Sequence, residues 1–140
     1  IYFKGDIMAA TTFAINKILD AVFNGGTLGA PTNFYVGFST TLMDKESTAD
    51  SISEPTDTSY ERQEITDWTT ALDGEVSNSG SIVFTETSEE WGNVYSVFLA
   101  SGSVTGEGDI WYFHNLDPLI PVISDTVITF ESNTLKARIV

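Results

Sequence analysis

Turn signals recur roughly every 8–12 residues through most of this chain, and the apolar runs between them are short. Asp73-Gly74 is typical of a two-residue hairpin turn. Phe34, Val36 and Phe38 alternate with Asn33, Tyr35 and Gly37, which point the other way, and this period of two is that of a strand. These features predict a mainly β fold of about seven or eight strands, arranged as an antiparallel sandwich or a partly closed barrel.

The predicted strands lie in the apolar runs between the turns. Residues 119–120 lie between Pro118 and Pro121, so we predict an edge or a non-strand segment there, because proline cannot donate to a sheet ladder. The strands do not alternate with helices, which argues against a parallel α/β sheet. The runs assigned to strands are 34–38, 60–68, 70–72, 75–76, 82–84, 94–100, 110–113, 127–130 and 135–139.

One segment, residues 11–24, has helical spacing instead. Thr11 or Thr12 can cap its start, and Asn24-Gly25-Gly26 can end it. Its apolar residues fall at i, i+3, i+4, i+7 and i+8, which places them in one stripe. The residues of the stripe are Ile15, Ile18, Leu19, Val22 and Phe23. We predict a short N-terminal helix that packs on the sheet.

The first seven residues precede Met8. Tyr2-Phe3-Lys4-Gly5 resembles the tail of a protease-cleavage tag left by an expression vector, although such a site needs Gln where Lys4 stands. We therefore interpret residues 1–7 as an expression-tag remnant, with a native N-terminal arm as the alternative. Residues 8–140 are predicted to form a single β-rich domain with the helix at its start.

Charge excludes several classes of protein. The chain has 140 residues, with 20 acidic against 6 basic residues and a formal net charge of −14. Nucleic-acid binding needs clustered Lys and Arg, so we expect no nucleic-acid partner. No apolar run reaches the roughly 18–20 residues that a membrane-spanning helix needs, so we expect no membrane partner. Because there is no cysteine, disulfides and thiolate metal sites are excluded.

Few residues are available for catalysis. The chain has one histidine, His114, and lacks a Gly-x-Ser-x-Gly motif, so a nucleophile has no evident base. Glu89 and Glu90 beside Trp91 suggest the paired carboxylates of a glycosidase, but adjacent residues point in different directions. We expect no enzyme, no catalytic residue and no cofactor. A calcium site stays open, since acidic residues cluster in the loop 40–58 and at 106–109 without EF-hand spacing.

Three loops are the candidate contact surfaces: 44–58, 88–91 and 102–108. Trp111 and Tyr112 are neighbours on one strand, so one faces inward and the other outward, and an outward aromatic residue can anchor a partner. The candidate partner-contact residues are Asp44, Glu46, Asp50, Glu89, Glu90, Trp111 and Tyr112.

The order of motifs from about residue 15 to residue 140 resembles a family of small tailed-bacteriophage virion proteins. A short helix ending in Gly25-Gly26 leads into Phe34-Tyr35-Val36-Gly37-Phe38-Ser39-Thr40, which is similar to the family's "YVALST" strand. Ser59-Tyr60-Glu61-Arg62-Gln63 is similar to a "GYAR" strand, and Trp91-Gly92-Asn93-Val94 to a "WG-x-V" corner. The acidic stretch 86–90 and residues 119–121 depart from the family pattern.

The resemblance implies a structural protein of the virion. It favours decoration or stabilisation of the capsid surface by non-covalent attachment, with a tail or fibre-associated host-recognition module that binds glycan as the alternative. The implied partner is the phage major capsid protein or a tail protein, and we expect a homo-oligomer, with a trimer favoured. Strong acidity suits an outer surface, since it keeps a repeated protein soluble.

Overall fold

Ten strands and one helix follow one another along residues 1–3 and 6–139, the part of the chain that the computed structural model describes. They are β1 (Tyr2–Phe3), β2 (Asp6–Ala10), α1 (Thr12–Phe23), β3 (Phe34–Ser39), β4 (Gln63–Ile65), β5 (Glu75–Ser77), β6 (Ile82–Val83), β7 (Gly92–Ala100), β8 (Ile110–Val122), β9 (Thr129–Phe130) and β10 (Leu135–Arg138). The mainly β class with one N-terminal helix is confirmed.

Seven strands form one curled sheet, a half-barrel, in the order β4-β3-β7-β8-β2-β10-β5. Three short strands form a second sheet in the order β1-β9-β6. The two ends of the larger sheet approach each other, because a bridge joins Trp68, beyond β4, to Asn78, beyond β5. The predicted sandwich or partly closed barrel is confirmed, although β2–β10 and β1–β9 pair in parallel. The two strands of each parallel pair are far apart in the sequence, so no hairpin turn requires them to run antiparallel.

Several strand boundaries differ from the predictions. The run 60–68 contributes only β4, and 70–72 contributes an isolated bridge between Leu72 and Glu75 around the predicted Asp73-Gly74 turn. Strand β8 continues through residues 119–120, so the non-strand alternative is wrong. The edge alternative is confirmed, because β2 pairs with β8 only at Tyr112 and Phe113 and leaves the proline-containing half paired with β7 alone.

Phe3, which precedes Met8, packs into the domain core. Phe3 is 4% exposed, and its ring lies 4.7 Å from that of Phe130 and 5.4 Å from that of Phe38. Met8 is fully buried within β2. The interpretation of residues 1–7 as an expression-tag remnant concerns their origin and stays a prediction, as does the domain boundary at residue 8.

Aromatic residues fill the core between the two sheets. Phe38 lies at its centre, with ring centroids 4.9 Å from Phe84 and 5.7 Å from Trp91. Val36 and Phe38 are fully buried and Phe34 packs against the same core, so the predicted alternation of β3 is confirmed. On the opposite face of β3, a Cβ on Gly37 would lie 2.6 Å from the ring of Phe98, so only glycine fits there.

Helix α1 begins and ends as predicted. The Thr11 hydroxyl accepts a hydrogen bond from the Ala14 amide at 3.2 Å, and the Asn24 amide closes the last turn onto the Asp20 carbonyl. The described residues contain no helix long and apolar enough to cross a membrane. The prediction that the apolar stripe packs on the sheet is only partly correct, because within α1 only Ala14 is buried.

Candidate binding surfaces

The long loop 40–58 is anchored by a buried ion pair. The Glu54 carboxylate accepts two hydrogen bonds from the Arg62 guanidinium, at 2.9 and 2.8 Å, and both side chains are almost completely buried. The Tyr60 hydroxyl and the Gly106 amide also donate to Glu54, each at 2.7 Å. Burial, and then the charge of Glu54, raise the pKa of Tyr60 well above its usual value. From the sequence alone, residues 40–58 are expected to form a long exposed loop, and this expectation is wrong at Glu54.

Arg62 also holds the loop 102–108. Its Nη1 donates to the carbonyls of Gly102 and Glu107, both at 2.8 Å, and its guanidinium lies 5.2 Å from the Phe98 ring centroid. Every polar group of the buried pair therefore has a partner, which is the condition under which a buried charge pair is tolerated.

Asp57 anchors the same long loop at a second point. Its carboxylate accepts hydrogen bonds from the amides and hydroxyls of Ser59 and Ser88, and from the Trp91 indole at 3.1 Å. Burial acts to raise the pKa of Asp57, but hydrogen bonds from Ser88 and Ser59 outweigh it and hold the pKa well below its usual range. The three candidate loops are thus joined by Glu54, Arg62 and Asp57.

The acidic contact candidates lie outside this network. Asp44 caps a local turn by accepting from the Glu46 amide at 2.9 Å, and Glu46 accepts from the Thr12 hydroxyl of α1. Asp50, Glu89 and Glu90 are exposed. Their role as partner contacts stays a prediction. In the described part of the chain, no three His, Cys, Asp or Glu side chains come together as metal ligands.

The exposed apolar residues near α1 form a second kind of surface. Val22 is 68% exposed and Phe23 is 77% exposed, although both belong to the predicted stripe. Ile15 and Ile18 are only half-buried. We call the exposed apolar end of α1 the apolar face, and its members are Leu19, Val22 and Phe23.

A cavity of about 480 Å³ opens beside the apolar face, at one end of the half-barrel. We call it the mouth cavity. Its walls are side chains of the core sheet, including Phe34, Leu99 and Tyr112. Ile18, Leu28 and Ile139 also line it, so the cavity adjoins the helix that carries the apolar face.

On the other side of Trp111 lies a second cavity of about 440 Å³, which we call the polar cleft. It runs between α1 and the adjoining ends of β7 and β8. Its lining residues are Phe13, Lys17, Gly29, Pro31, Thr32, Asn33, Tyr35, Ser101, Asp109 and Trp111. His114 lies within β8, opposite Val97, and lines neither cavity.

The side chains of Trp111 and Tyr112 point to opposite faces of β8, as expected for neighbours on a strand. Tyr112 packs against the main core, and burial raises its pKa. Trp111 points to the other face, but it is only 4% exposed, because Phe13 of α1 packs edge to face on it at 5.5 Å. Trp111 therefore forms a wall between the two cavities.

One protein family matches almost the whole chain. The family described as Podophage GP4 fiber I protein gp80 matches residues 9–138. The chain belongs to this family. No curated protein matches it. Membership confirms the predicted relation to phage virion proteins and implies a virion-associated structural component of the fibre class.

The candidate binding surfaces could be predicted only in part from the sequence. The loops were identified, but their inward anchors Glu54 and Asp57 were not, because acidic residues in an acidic loop give no sign of burial. The polar cleft was missed because its residues are dispersed from Phe13 to Trp111. The sequence feature that could have indicated the apolar face is the apolar stripe of α1, but the same stripe also predicts packing on the sheet.

Proposed function

We propose that this chain is a non-catalytic structural subunit of the phage fibre apparatus, held in the particle through the apolar face. The observation that carries the proposal is the rise in exposure along α1. Ala14 is fully buried, Leu19 is 47% exposed and Phe23 is 77% exposed. An amphipathic helix that leaves its apolar end in water is suited to bind a neighbouring molecule.

The exposure of the apolar face supports the proposal. Leu19, Val22 and Phe23 lie together at the end of α1 and are 47%, 68% and 77% exposed. A stable interface buries about 800 Å² on each partner, so this face is one part of a larger contact.

Charge supports the same face. Lys17 lies on α1, and Lys136 and Arg138 lie on β10 beside the mouth cavity. Both β10 cations contact the Glu75 carboxylate, at 3.5 and 2.6 Å. The Glu75 charge is therefore balanced by two cations at this edge of the larger sheet. An acidic partner meets less repulsion there than at an unpaired carboxylate.

Decoration of the capsid, which the sequence resemblance favours, uses the same kind of contact. The description of the matching family supports our choice of the fibre over the capsid. We keep the expectation of a homo-oligomer, with a trimer favoured, since copies of the chain can cover part of the same face. Sedimentation velocity of the purified chain measures that state directly.

The test is incorporation into particles. Phage carrying both Val22→Ser and Phe23→Ser should contain fewer copies of this protein per particle, by about tenfold or more, because two central apolar contacts are lost. Val83→Ser is the matched control, since Val83 is 52% exposed on β6 of the three-stranded sheet, outside α1 and outside the three candidate loops.

Gold-labelled antibody on intact particles supplies the location. Label at the fibres or tail supports the proposal, whereas label over the heads would establish capsid decoration instead. Equal incorporation of the α1 variant and the Val83→Ser control would show that the apolar face is not the attachment surface.

A further inference from the structure

The one Asn-Gly pair of the sequence, Asn24-Gly25, lies where helix α1 ends. Asn24 is the C-cap residue, and residues 22–30 are all exposed. A Cβ built on Gly25 would meet no atom within 4 Å outside its chain neighbours. Because glycine has no Cβ, the backbone nitrogen that follows the Asn24 side chain is unshielded and its backbone can rotate widely. The end of α1 therefore places a side-chain amide beside an accessible backbone nitrogen.

The backbone nitrogen of Gly25 makes no hydrogen bond to the part of the chain that the structure describes. The Asn24 amide donates to the Asp20 carbonyl at 3.0 Å and the Gly26 amide donates to the same oxygen at 3.2 Å, but the Gly25 amide between them donates to no group. Residues 25–30 have no regular secondary structure, and among the described hydrogen bonds they make only the one from Gly26. The Gly25 nitrogen can therefore reach the Asn24 side chain when that one bond opens.

We propose that Asn24 is a site of spontaneous deamidation. The Gly25 nitrogen attacks Cγ of Asn24, so a C–N bond forms, the Cγ–Nδ2 bond breaks, and Nδ2 leaves as ammonia with the Gly25 proton. One water molecule then opens the resulting five-membered cyclic imide at either carbonyl. One opening gives aspartate. The other gives isoaspartate, in which the backbone continues through the side chain.

Either product weakens the last turn of α1. Asn24 Nδ2 donates to Asp20 Oδ1 at 3.1 Å, and a carboxylate in its place repels Asp20 across the i, i+4 spacing. Negative charge at a helix C-terminus also opposes the helix dipole. Isoaspartate in addition lengthens the backbone between the two amides that bond to the Asp20 carbonyl. Because Val22 and Phe23 lie in this turn, the reaction makes the apolar face less ordered and more negative.

Two other exposed asparagines serve as internal controls. Asn133 is followed by Thr134, which has a side chain and whose amide donates to the Glu131 carbonyl at 3.3 Å. Asn16 lies inside α1, where the helix holds the backbone on both sides of it. Both lack the unshielded, unbonded nitrogen that follows Asn24, so both should react more slowly.

The experiment incubates the purified full chain in mildly alkaline ¹⁸O-labelled water and follows each asparagine by peptide mass spectrometry. Opening of the imide incorporates one solvent oxygen, so the label marks reaction during the incubation. Asn24 should convert about tenfold faster than Asn133 and Asn16. Gly25→Ala should slow conversion at Asn24 by about tenfold, because its Cβ shields the attacking nitrogen and restricts rotation. Gly26→Ala is the matched control and should convert like wild type.

The inference is overturned if Asn24 converts no faster than Asn133, or if Gly25→Ala and Gly26→Ala convert at the same rate. The loss of order is measured by hydrogen exchange. The amides of residues 23 and 24 should exchange about twofold faster or more in the incubated wild type than in Asn24→Gln incubated in parallel, and equal rates would refute the weakening of the last turn.

The inference goes beyond the proposed function, because deamidation of the isolated chain does not depend on where the protein sits in the particle. Its consequence for attachment rests on the proposed function. Phage carrying Asn24→Asp, which imitates one product, should contain fewer copies of the protein than phage carrying Asn24→Gln, by about twofold or more. Conversion at Asn24 together with equal incorporation of these two variants would count against the apolar face as the attachment surface and not against the deamidation.

Discussion

The anchored loops and the apolar face reverse the usual relation between residue type and burial. The loops contain buried charge: Glu54 and Arg62 lie inside, with every polar atom bonded. The apolar face contains exposed hydrocarbon, with Val22 and Phe23 largely in water. In this molecule, whether a residue is buried depends on the groups that pack against it. A charge whose hydrogen bonds are all made can be buried, and an apolar helix end with no neighbouring element stays exposed.

The largest effect should come from the buried ion pair. Arg62→Ala leaves the Glu54 carboxylate without its counter-charge and removes the bonds to Gly102 and Glu107. We expect the free energy of unfolding to fall by about 3–5 kcal/mol in urea titrations followed by tryptophan fluorescence.

The matched control for that change is Arg138→Ala, which breaks an exposed pair with Glu75 at the open end of the molecule and should cost about 0–1 kcal/mol. Arg62→Lys keeps the charge and provides a milder variant if Arg62→Ala does not fold. Similar losses of unfolding free energy for Arg62→Ala and Arg138→Ala would contradict the conclusion that the buried ion pair stabilises the fold more than the exposed one.

A second effect concerns the packing of the anchored loops on β3. Gly37→Ala places a Cβ 2.6 Å from the Phe98 ring and 2.9 Å from the Tyr60 hydroxyl, which donates to Glu54. Overpacking of this kind should lower the free energy of unfolding by about 1–3 kcal/mol. Gly80→Ala, with no atom within 4 Å of its Cβ, is the control, and equal melting temperatures for the two variants would refute this account.

Acid should weaken the second anchor. The folded-state pKa of Asp57 is held below the unfolded value of about 3.9, so its contribution is complete above that pH and is lost as pH falls toward the folded pKa. We expect the urea midpoint of wild type to fall more steeply between about pH 4 and pH 2 than that of Asp57→Asn. Parallel curves for the two proteins would show that Asp57 is not a stabilising anchor.

The smallest effect on stability should come from the apolar face. Phe23→Ala removes a ring that is already 77% exposed, so the free energy of unfolding of the isolated chain should change by no more than about 0.5 kcal/mol. Calorimetry of the purified chain measures this. A loss as large as that of Arg62→Ala would mean that the end of α1 is held by the domain and is not available to a partner.

The sequence predicted most of the fold correctly, for local reasons. The period of β3, the Asp73-Gly74 turn and the Thr11 cap each depend on a few neighbouring residues, so they can be recognised without the rest of the chain. The positions at which strands begin and end were less predictable. Residues 119–120 lie in a strand because β7 pairs with them on one side, which no local pattern shows.

The candidate site was less accessible to sequence reasoning. Trp111 was singled out as a possible anchor, yet its position between two cavities follows from a bulge against β7 and from the cover of α1. Lys17 and Asp109 reach one cleft from opposite parts of the chain. Their meeting depends on long-range packing, which composition and spacing do not encode.

Hydrophobic period, turn chemistry and net charge are local or additive properties, so the amino-acid sequence was enough to predict an acidic, mainly β protein with one capped helix. Which polar residues are buried and which apolar residues stay exposed depends on what distant parts of the chain bring alongside each residue, so it could be seen only in the folded structure. Glu54 is enclosed because Arg62 is brought against it, whereas Phe23 has no such cover and is 77% exposed.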